Sequence, residues 1–249
     1  MNDLGHIVKP LLVVDLGRTR YADTWELQKQ IFALRTQKQI DDVLLLTEHE
    51  PVFTLGKGAD ENHLLAGEDE RSSKKIDMFW IDRGGDVTFH GPGQIVGYPI
   101  IDLSLQYLDI HRYLRDLEEM IIRTLSEYGI NAGREPEFTG VWVKNEKVAA
   151  LGVKVSKWVT MHGFALNVAT DLSFFDRIIP CGIFHKGVTS LQNIIGNSVP
   201  IVEVQQKLIR HFSQIFSFEV KQISVEELRI RLHDHEAAEE KGHGVQTIR

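Results

Sequence analysis

A single cysteine, Cys181, occurs in 249 residues, which excludes an internal disulfide and any zinc site built on a cysteine pair. Long apolar runs are missing as well, so nothing in the sequence reads as a membrane-spanning helix. The opening residues, Met-Asn-Asp-Leu-Gly-His-Ile-Val-Lys-Pro, lack the charged-then-apolar pattern of a secretory signal. The expectation is a cytoplasmic protein without a membrane partner. Positive charge is in deficit: 28 Lys and Arg stand against 35 Asp and Glu, a net charge of -7 that argues against a general nucleic-acid binder. Repeats and linker-like segments are absent, and 43% hydrophobic content suffices for one sizeable core. The expected organisation is one domain over residues 1–232 followed by a polar, frayed tail at 233–249. The tail histidines His233, His235 and His243 fit a solvated segment better than a metal site.

Periodicity supplies the elements. Residues 11–16, 42–47, 51–55 and 78–82 read as strands, and 23–40 as a helix with Leu27, Ile31 and Leu34 on one face. The Gly56-Lys57-Gly58 segment lacks full phosphate-loop spacing and reads as a turn. Residues 60–65 suggest one helical turn, and the charged stretch 66–75 an exposed loop. Residues 110–128 form the clearest helix, whose apolar stripe from Ile110 to Tyr128 reads as core. A hairpin of 140–144 and 147–155, turning at Asn145-Glu146, leads to a strand at 158–168. Asp171 caps a short helix at 171–177. Helices follow at 188–195, 202–216 and 225–232, with an edge strand at 218–222. Helices and strands mix without strict alternation, which predicts an α+β fold with a mainly antiparallel sheet.

Two features carry candidate chemistry. The first is residues 83–99, Arg-Gly-Gly-Asp-Val-Thr-Phe-His-Gly-Pro-Gly-Gln-Ile-Val-Gly-Tyr-Pro. It reads as a hairpin facing a ligand, with Arg83 and free amides at its mouth. Alternation places Thr88 and His90 on one face, Val87 and Phe89 on the other. An ordinary glycine-rich turn has about equal standing. The second is Cys181, between Pro180 and Gly182. A lone cysteine is more often a small buried hydrophobe, but one in a turn, with histidines elsewhere, is also a nucleophile candidate. Between Glu137 and Lys186, six basic residues meet four acidic ones. That suits either an acidic partner or an ordinary mixed surface.

In order and spacing, RGGDVTFHGPGQIVGYP, KVAALGVKVSKWVTMHGFALNV and IIPCGI resemble the lipoyl/octanoyl transferases of lipoate biosynthesis, over roughly residues 10–215. The resemblance implies the biotin/lipoate protein ligase fold. It also implies transfer of an octanoyl group from acyl carrier protein to a lysine of a lipoyl domain, the first step of endogenous protein lipoylation. The acceptors implied are dehydrogenase-complex acyltransferase subunits and the glycine-cleavage H protein. It assigns Cys181 as nucleophile and Lys147 as its partner. Without it Lys144, Lys154 and Lys157 are equally good candidates. The acyl-binding segments it implies are Arg83, Gly84, Gly85, Asp86, Val87, Thr88, Phe89 and His90; Ala150, Leu151 and Gly152; and Gly163, Phe164 and Ala165. Small residues in the last two segments let a linear chain lie against backbone.

The chemistry fits these residue types. A thiol attacks as its thiolate and needs a nearby positive charge or base; a desolvated lysine supplies the charge and, once neutral, accepts a proton from an amine. His90 and His162 are possible supporting groups. A thioester donor is already activated, so neither cofactor nor metal is expected. Two other readings compete: an ATP-dependent lipoate or biotin ligase, which needs no cysteine, and a non-catalytic module binding carrier protein or lipoyl domains.

Overall fold

The computed structural model describes residues 9–179 and 187–243. Its main sheet has the order β10-β8-β9-β6-β2-β1-β11, with β7 paired to β8. The strands are β1 (Lys9–Thr19), β2 (Asp42–His49), β6 (Gln94–Ile100), β7 (Val141–Val143), β8 (Glu146–Ser156), β9 (Val159–Asn167), β10 (Gly187–Val188) and β11 (Phe218–Gln222). The run from β2 through β6 and β9 to β8 is antiparallel, whereas β1 is parallel to both β2 and β11. A smaller sheet holds β4 (Asp77–Trp80), β3 (Val52–Leu55) and β5 (Val87–His90) in that order. The architecture is the α+β, mainly antiparallel one that the sequence predicts.

The two-residue period sorts the main strands onto two cores. Leu11 and Val13, Leu44 and Leu46, Ile95, and Leu166 face α3 (Ile110–Ser126) and α5 (Ile201–Phe216). The alternate set, Leu12 and Val14, Val43 and Leu45, Val96 and Tyr98, and Ala165, faces α1 (Tyr21–Thr36) and α6 (Val225–His243). Asp109 caps α3 by accepting from the Arg112 N–H at 3.0 Å, and the buried stripe of that helix includes Tyr113, Leu117, Met120, Ile121 and Leu125. The small sheet has its own core, where Phe53, Leu55, Val87 and Phe89 meet Ile178.

The structure corrects several readings. Residues 83–99 are not a hairpin: β5 pairs with β3, while β6 pairs with β2 and β9. The chain changes sheets at residues 91–93. Gly93 has φ +80°, and its carbonyl accepts from the Val168 and Ala169 N–H groups. Residues 66–75 contain α2 (Glu68–Ser73), a helix without a buried residue, whose acidic first turn favours it where no apolar stripe announces it. The 140–155 hairpin turns at Lys144-Asn145, one residue earlier than read, with Lys144 at φ +54°. Residues 187–188 form a parallel strand on β8; the helix there, α4 (Leu191–Ile195), begins only after Ser190 caps it. α6 runs to His243 rather than ending at 232, because nothing in 233–243 breaks a helix except the late Gly242.

Candidate active site

Between the two sheets lies a cavity of about 460 Å³. Its floor is the main-sheet face that carries Gln94, Val96 and Tyr98 on β6, Ala165 and Asn167 on β9, and Ala150 on β8. Ala150 stands opposite Ala165, and Gly152 opposite Gly163. Residues 83–88 and His90 form the facing wall, and Glu137, Phe138 and Thr139 a third side.

Lys147 reaches this cavity through an irregularity. Val141 pairs with Ala149 but Trp142 pairs with Lys147, so Val148 is an extra residue in β8. Strict alternation would set Lys147 with Ala149 on the opposite face. The bulge instead sends both Val148 and Ala149 into the α3–α5 core and turns Lys147 to the side of Ala150. Lys147 is buried, its ammonium lies 4.8 Å from the Trp142 ring centroid, and its backbone is paired with Val188 of β10. Cys181 lies outside the described residues.

Arg83 does not stand at the mouth with its charge in solvent. Its guanidinium is buried: Nη2 donates to the Thr54 carbonyl at 2.7 Å and to Thr54 Oγ1 at 3.0 Å, and Nη1 donates to the Gly84 carbonyl at 3.0 Å. A Cβ on Gly152 would meet the Gly84 carbonyl at 2.9 Å and Arg83 Cδ at 3.0 Å. Gly152 is therefore bare because the Arg83 loop sits on it, and the Gly84 N–H is committed to the Val153 carbonyl. Gly163 is bare for a similar reason, since its Cβ would lie 2.2 Å from the Gly97 carbonyl. Ala150 and Ala165 remain the small side chains that open on the cavity. Phe89 turns away and stacks on Phe174 in the small-sheet core at 4.4 Å. Leu151 and Phe164 border the cavity, but their side chains pack in the α3–α5 core.

Two histidines are held in defined states. His90 is buried beside Gln94, and burial pushes its pKa down to about 3. Gln94 Nε2 donates to Asn167 Oδ1 at 2.8 Å, and Asn167 Nδ2 donates to the Thr189 carbonyl at 3.1 Å. This chain of amides ends beside Lys147, whose carbonyl accepts from the Thr189 N–H at 3.0 Å. At the other end of β9, His162 adopts φ +60° and its Nε2 donates to Asp82 Oδ1 at 2.9 Å. The His162 bond, then Lys154 at 2.5 Å, hold the Asp82 carboxyl well below the usual range, while burial lowers the His162 pKa. His162 pairs with Val153, six positions along β8 from Lys147, so the two groups occupy opposite ends of the cavity.

Nothing in the sequence directly singles out the cavity residues Gln94, Tyr98, Asn167 and Tyr21, or Asp82 behind His162. Alternation along β6 could have found the first two, because Gln94, Val96 and Tyr98 share His90's motif at a two-residue period. Tyr21 and Asp82 had no local signal. The basic stretch is also less open than its count suggests, since Lys147 is buried and Lys154 and Arg177 are paired with Asp82 and Glu70. Among the described residues, no cluster of His, Cys, Asp and Glu is arranged to hold a metal, and no helix is long and apolar enough to cross a membrane.

The family model described as the lipoyl protein ligase A/B catalytic domain matches residues 20–213. An octanoyltransferase of Rubrobacter xylanophilus is 52% identical over 201 residues, covering 80% of this chain and 90% of that protein. One from Christiangramia forsetii is 46% identical over 230 residues, covering 86% of this chain and 98% of its own. Among solved structures, a lipoate-protein ligase A bound with ATP superposes with a TM-score of 0.72 at 17% identity, over 92% of this chain and 94% of that one. A bi-partite lipoate protein ligase from Thermoplasma acidophilum gives 0.71 at 18% identity, over 92% of each chain. At such identities these two structures speak for the fold.

Proposed function

Because the chain belongs to the octanoyltransferases, within the lipoyl protein ligase A/B catalytic domain family, we propose that it carries the octanoyl group on Cys181 between an acyl carrier protein thioester and a lysine of a lipoyl domain. Octanoyl transfer in protein lipoylation is the activity of the family; the donor, the covalent route and the residues are our reading. The acyl chain lies on the floor made by Val96, Ala150 and Ala165, with its carbonyl toward Lys147 and its tail toward Tyr98 and His162.

In the first half-reaction the Cys181 thiolate attacks the thioester carbonyl carbon. A new carbon–sulfur bond forms, the bond to the carrier sulfur breaks, and the departing carrier thiolate takes its proton from the Lys147 ammonium, which leaves Lys147 neutral. In the second, the acceptor amine attacks the Cys181 thioester. The carbon–nitrogen bond forms, the bond to Cys181 breaks as the thiolate returns, and Lys147, neutral at that point, takes the amine proton. The oxyanion of each half requires oriented donors. The acceptors in this reading are lipoyl domains of dehydrogenase-complex subunits and the glycine-cleavage H protein, and the reaction runs in the cytoplasm without a cofactor.

The single observation that carries this reading is the bulge in β8. It costs regular pairing and brings a buried lysine onto the alanine-floored face of the cavity. The test is intact mass after incubation with octanoyl-acyl carrier protein, without nucleotide. An octanoyl adduct lost on adding lipoyl domain, and absent in Cys181→Ala, is expected. Transfer that requires ATP and leaves no adduct would assign the protein to the ligases instead.

A further inference from the structure

Glu118 lies within α3 and is wholly buried. A buried carboxylate is costly unless its lone pairs are matched, and these are. Oε1 accepts from the Gly140 N–H at 3.0 Å, while Oε2 accepts from Arg115 Nη1 at 2.7 Å and from Arg134 Nε at 3.1 Å. Glu118 thus fastens both ends of segment 134–140 to the helix. Gly140 is where this network meets the site. Its φ is +139°, and a Cβ there would lie 3.2 Å from Lys147 Cε, 3.4 Å from Cδ and 2.8 Å from the Ala149 carbonyl. The bare backbone of Gly140 therefore lies against the stem of Lys147, whose ammonium is over Trp142.

We propose that Glu118 is a positioning residue for Lys147: it fixes the Gly140 backbone, and Gly140 fixes the path by which the lysine stem reaches the cavity. The inference rests on the reading of Lys147 as a participant in transfer. Fold stability alone is a poor reason for the carboxylate. The neighbouring inward positions Leu117 and Ile121 are apolar, the arginine partners of Glu118 are partly exposed, and an apolar residue in place of a buried carboxylate and its ion pairs is often neutral or stabilising. What an apolar residue does not supply is an acceptor for the Gly140 N–H and a fixed point for the loop. Displacement of a reacting group by about 1 Å costs on the order of 100-fold in rate.

The experiment is single-turnover octanoyl transfer with Glu118→Gln and Glu118→Ala, each in the natural and the Lys147→Met background, together with the Lys147 ¹³Cε resonance, assigned by its loss in Lys147→Met. Glu118→Gln retains an acceptor for Gly140, whereas Glu118→Ala does not. In the natural background Glu118→Ala is expected to lower the maximal rate at least about tenfold, with a smaller change in acceptor KM, and to move the Lys147 resonance; Glu118→Gln restores most of both. Added to Lys147→Met, Glu118→Ala should cost little further. An equal loss in both backgrounds, or an unmoved Lys147 resonance in folded Glu118→Ala, overturns the proposal. If Glu118→Ala does not fold, Glu118→Leu, which also lacks an acceptor for the Gly140 N–H but fills the buried site, replaces it with the same expectations and the same overturning outcomes. Full activity of Lys147→Met would instead remove the catalytic reading of Lys147, while the resonance would still report whether Glu118 positions it.

Discussion

His90 Nδ1 donates to Gln94 Oε1 at 2.7 Å, and this one bond fixes the tautomer of the ring. Gln94 spends its amide hydrogens on Asn167 Oδ1 and the Phe89 carbonyl, so its oxygen is free to accept. His90 therefore carries its proton on Nδ1 and keeps the Nε2 lone pair. The same amide chain continues to Thr189 and so to the backbone of Lys147. A neutral imidazole and a buried ammonium are thereby tied into one frame.

Gln94→Leu keeps the approximate size but deletes all three hydrogen bonds of the side chain. It strands His90 Nδ1 and Asn167 Oδ1 in a buried site, which costs about 1–3 kcal/mol for each unsatisfied group. The expected outcome is a lower denaturation midpoint, with the histidine ¹⁵N spectrum no longer showing a single Nδ1–H tautomer for His90. An unchanged tautomer would mean that another group sets it.

His90 and His49 together predict a pH dependence of stability. Burial lowers both, to about 3 for His90 and about 4 for His49, from an unfolded value of 6.5. Below pH 6.5 the unfolded chain binds protons that the folded chain refuses, so stability falls as pH drops from 6.5 toward 4 and is fully present above 6.5. At pH 5 the loss is on the order of 2 kcal/mol per histidine. Urea denaturation at pH 5 and pH 7.5 measures it, and a variant lacking either imidazole should show a shallower slope. Equal slopes would indicate that neither histidine is held neutral.

The two alanines on the floor and the two glycines beside them should behave differently. Ala165→Val projects into the cavity and displaces part of an acyl chain. The loss of about two methylene contacts, at roughly 0.8 kcal/mol each, lowers kcat/KM for octanoyl donor by about tenfold, with a smaller effect on hexanoyl donor. Gly163→Ala instead drives a Cβ into the Gly97 backbone and should lower stability without changing chain-length preference. A proportional loss for both donors in Ala165→Val would place the acyl chain elsewhere.

The sequence made much of this legible because its signals are local. The alternation of Leu11–Val14 and Val43–Leu46, and the stripe through Tyr113, Leu117 and Leu125, each follow from burying one face. The misreadings have non-local causes. Residues 83–99 look like a hairpin because glycine and proline interrupt two strands. Only the partners β3 and β2 reveal that the strands belong to separate sheets. Helix α2 buries nothing, so it leaves no period to read. At the site, family resemblance alone distinguishes Lys147 from Lys144, Lys154 and Lys157 in the sequence. The physical distinction is the bulge, and no residue pattern in one strand announces which of its members will go unpaired. Gly152 and Gly163 looked like room for a ligand and are largely room for the Arg83 loop and for β6.

Substitution at Lys147 separates charge from proton transfer. Lys147→Met keeps the stem that lies against Gly140 but removes the ammonium over Trp142. If that ammonium holds Cys181 as a thiolate, alkylation of Cys181 at neutral pH should slow, and its pKa should rise toward the free value of about 8.5. Lys147→Arg restores the charge but does not accept a proton at accessible pH. It should therefore recover part of the alkylation rate and acylate from the carrier, yet fail to pass the acyl group to the acceptor amine. The guanidinium is bulkier, and the site is closed by Gly140 and Trp142, so thermal unfolding of each variant must first establish that it folds. Intact mass then reads the two halves separately: Lys147→Arg should accumulate the octanoyl adduct, and Lys147→Met should form it slowly. Equal adduct formation and equal release in all three proteins would leave Lys147 a packed hairpin lysine, and the search for the activating group would move to His90.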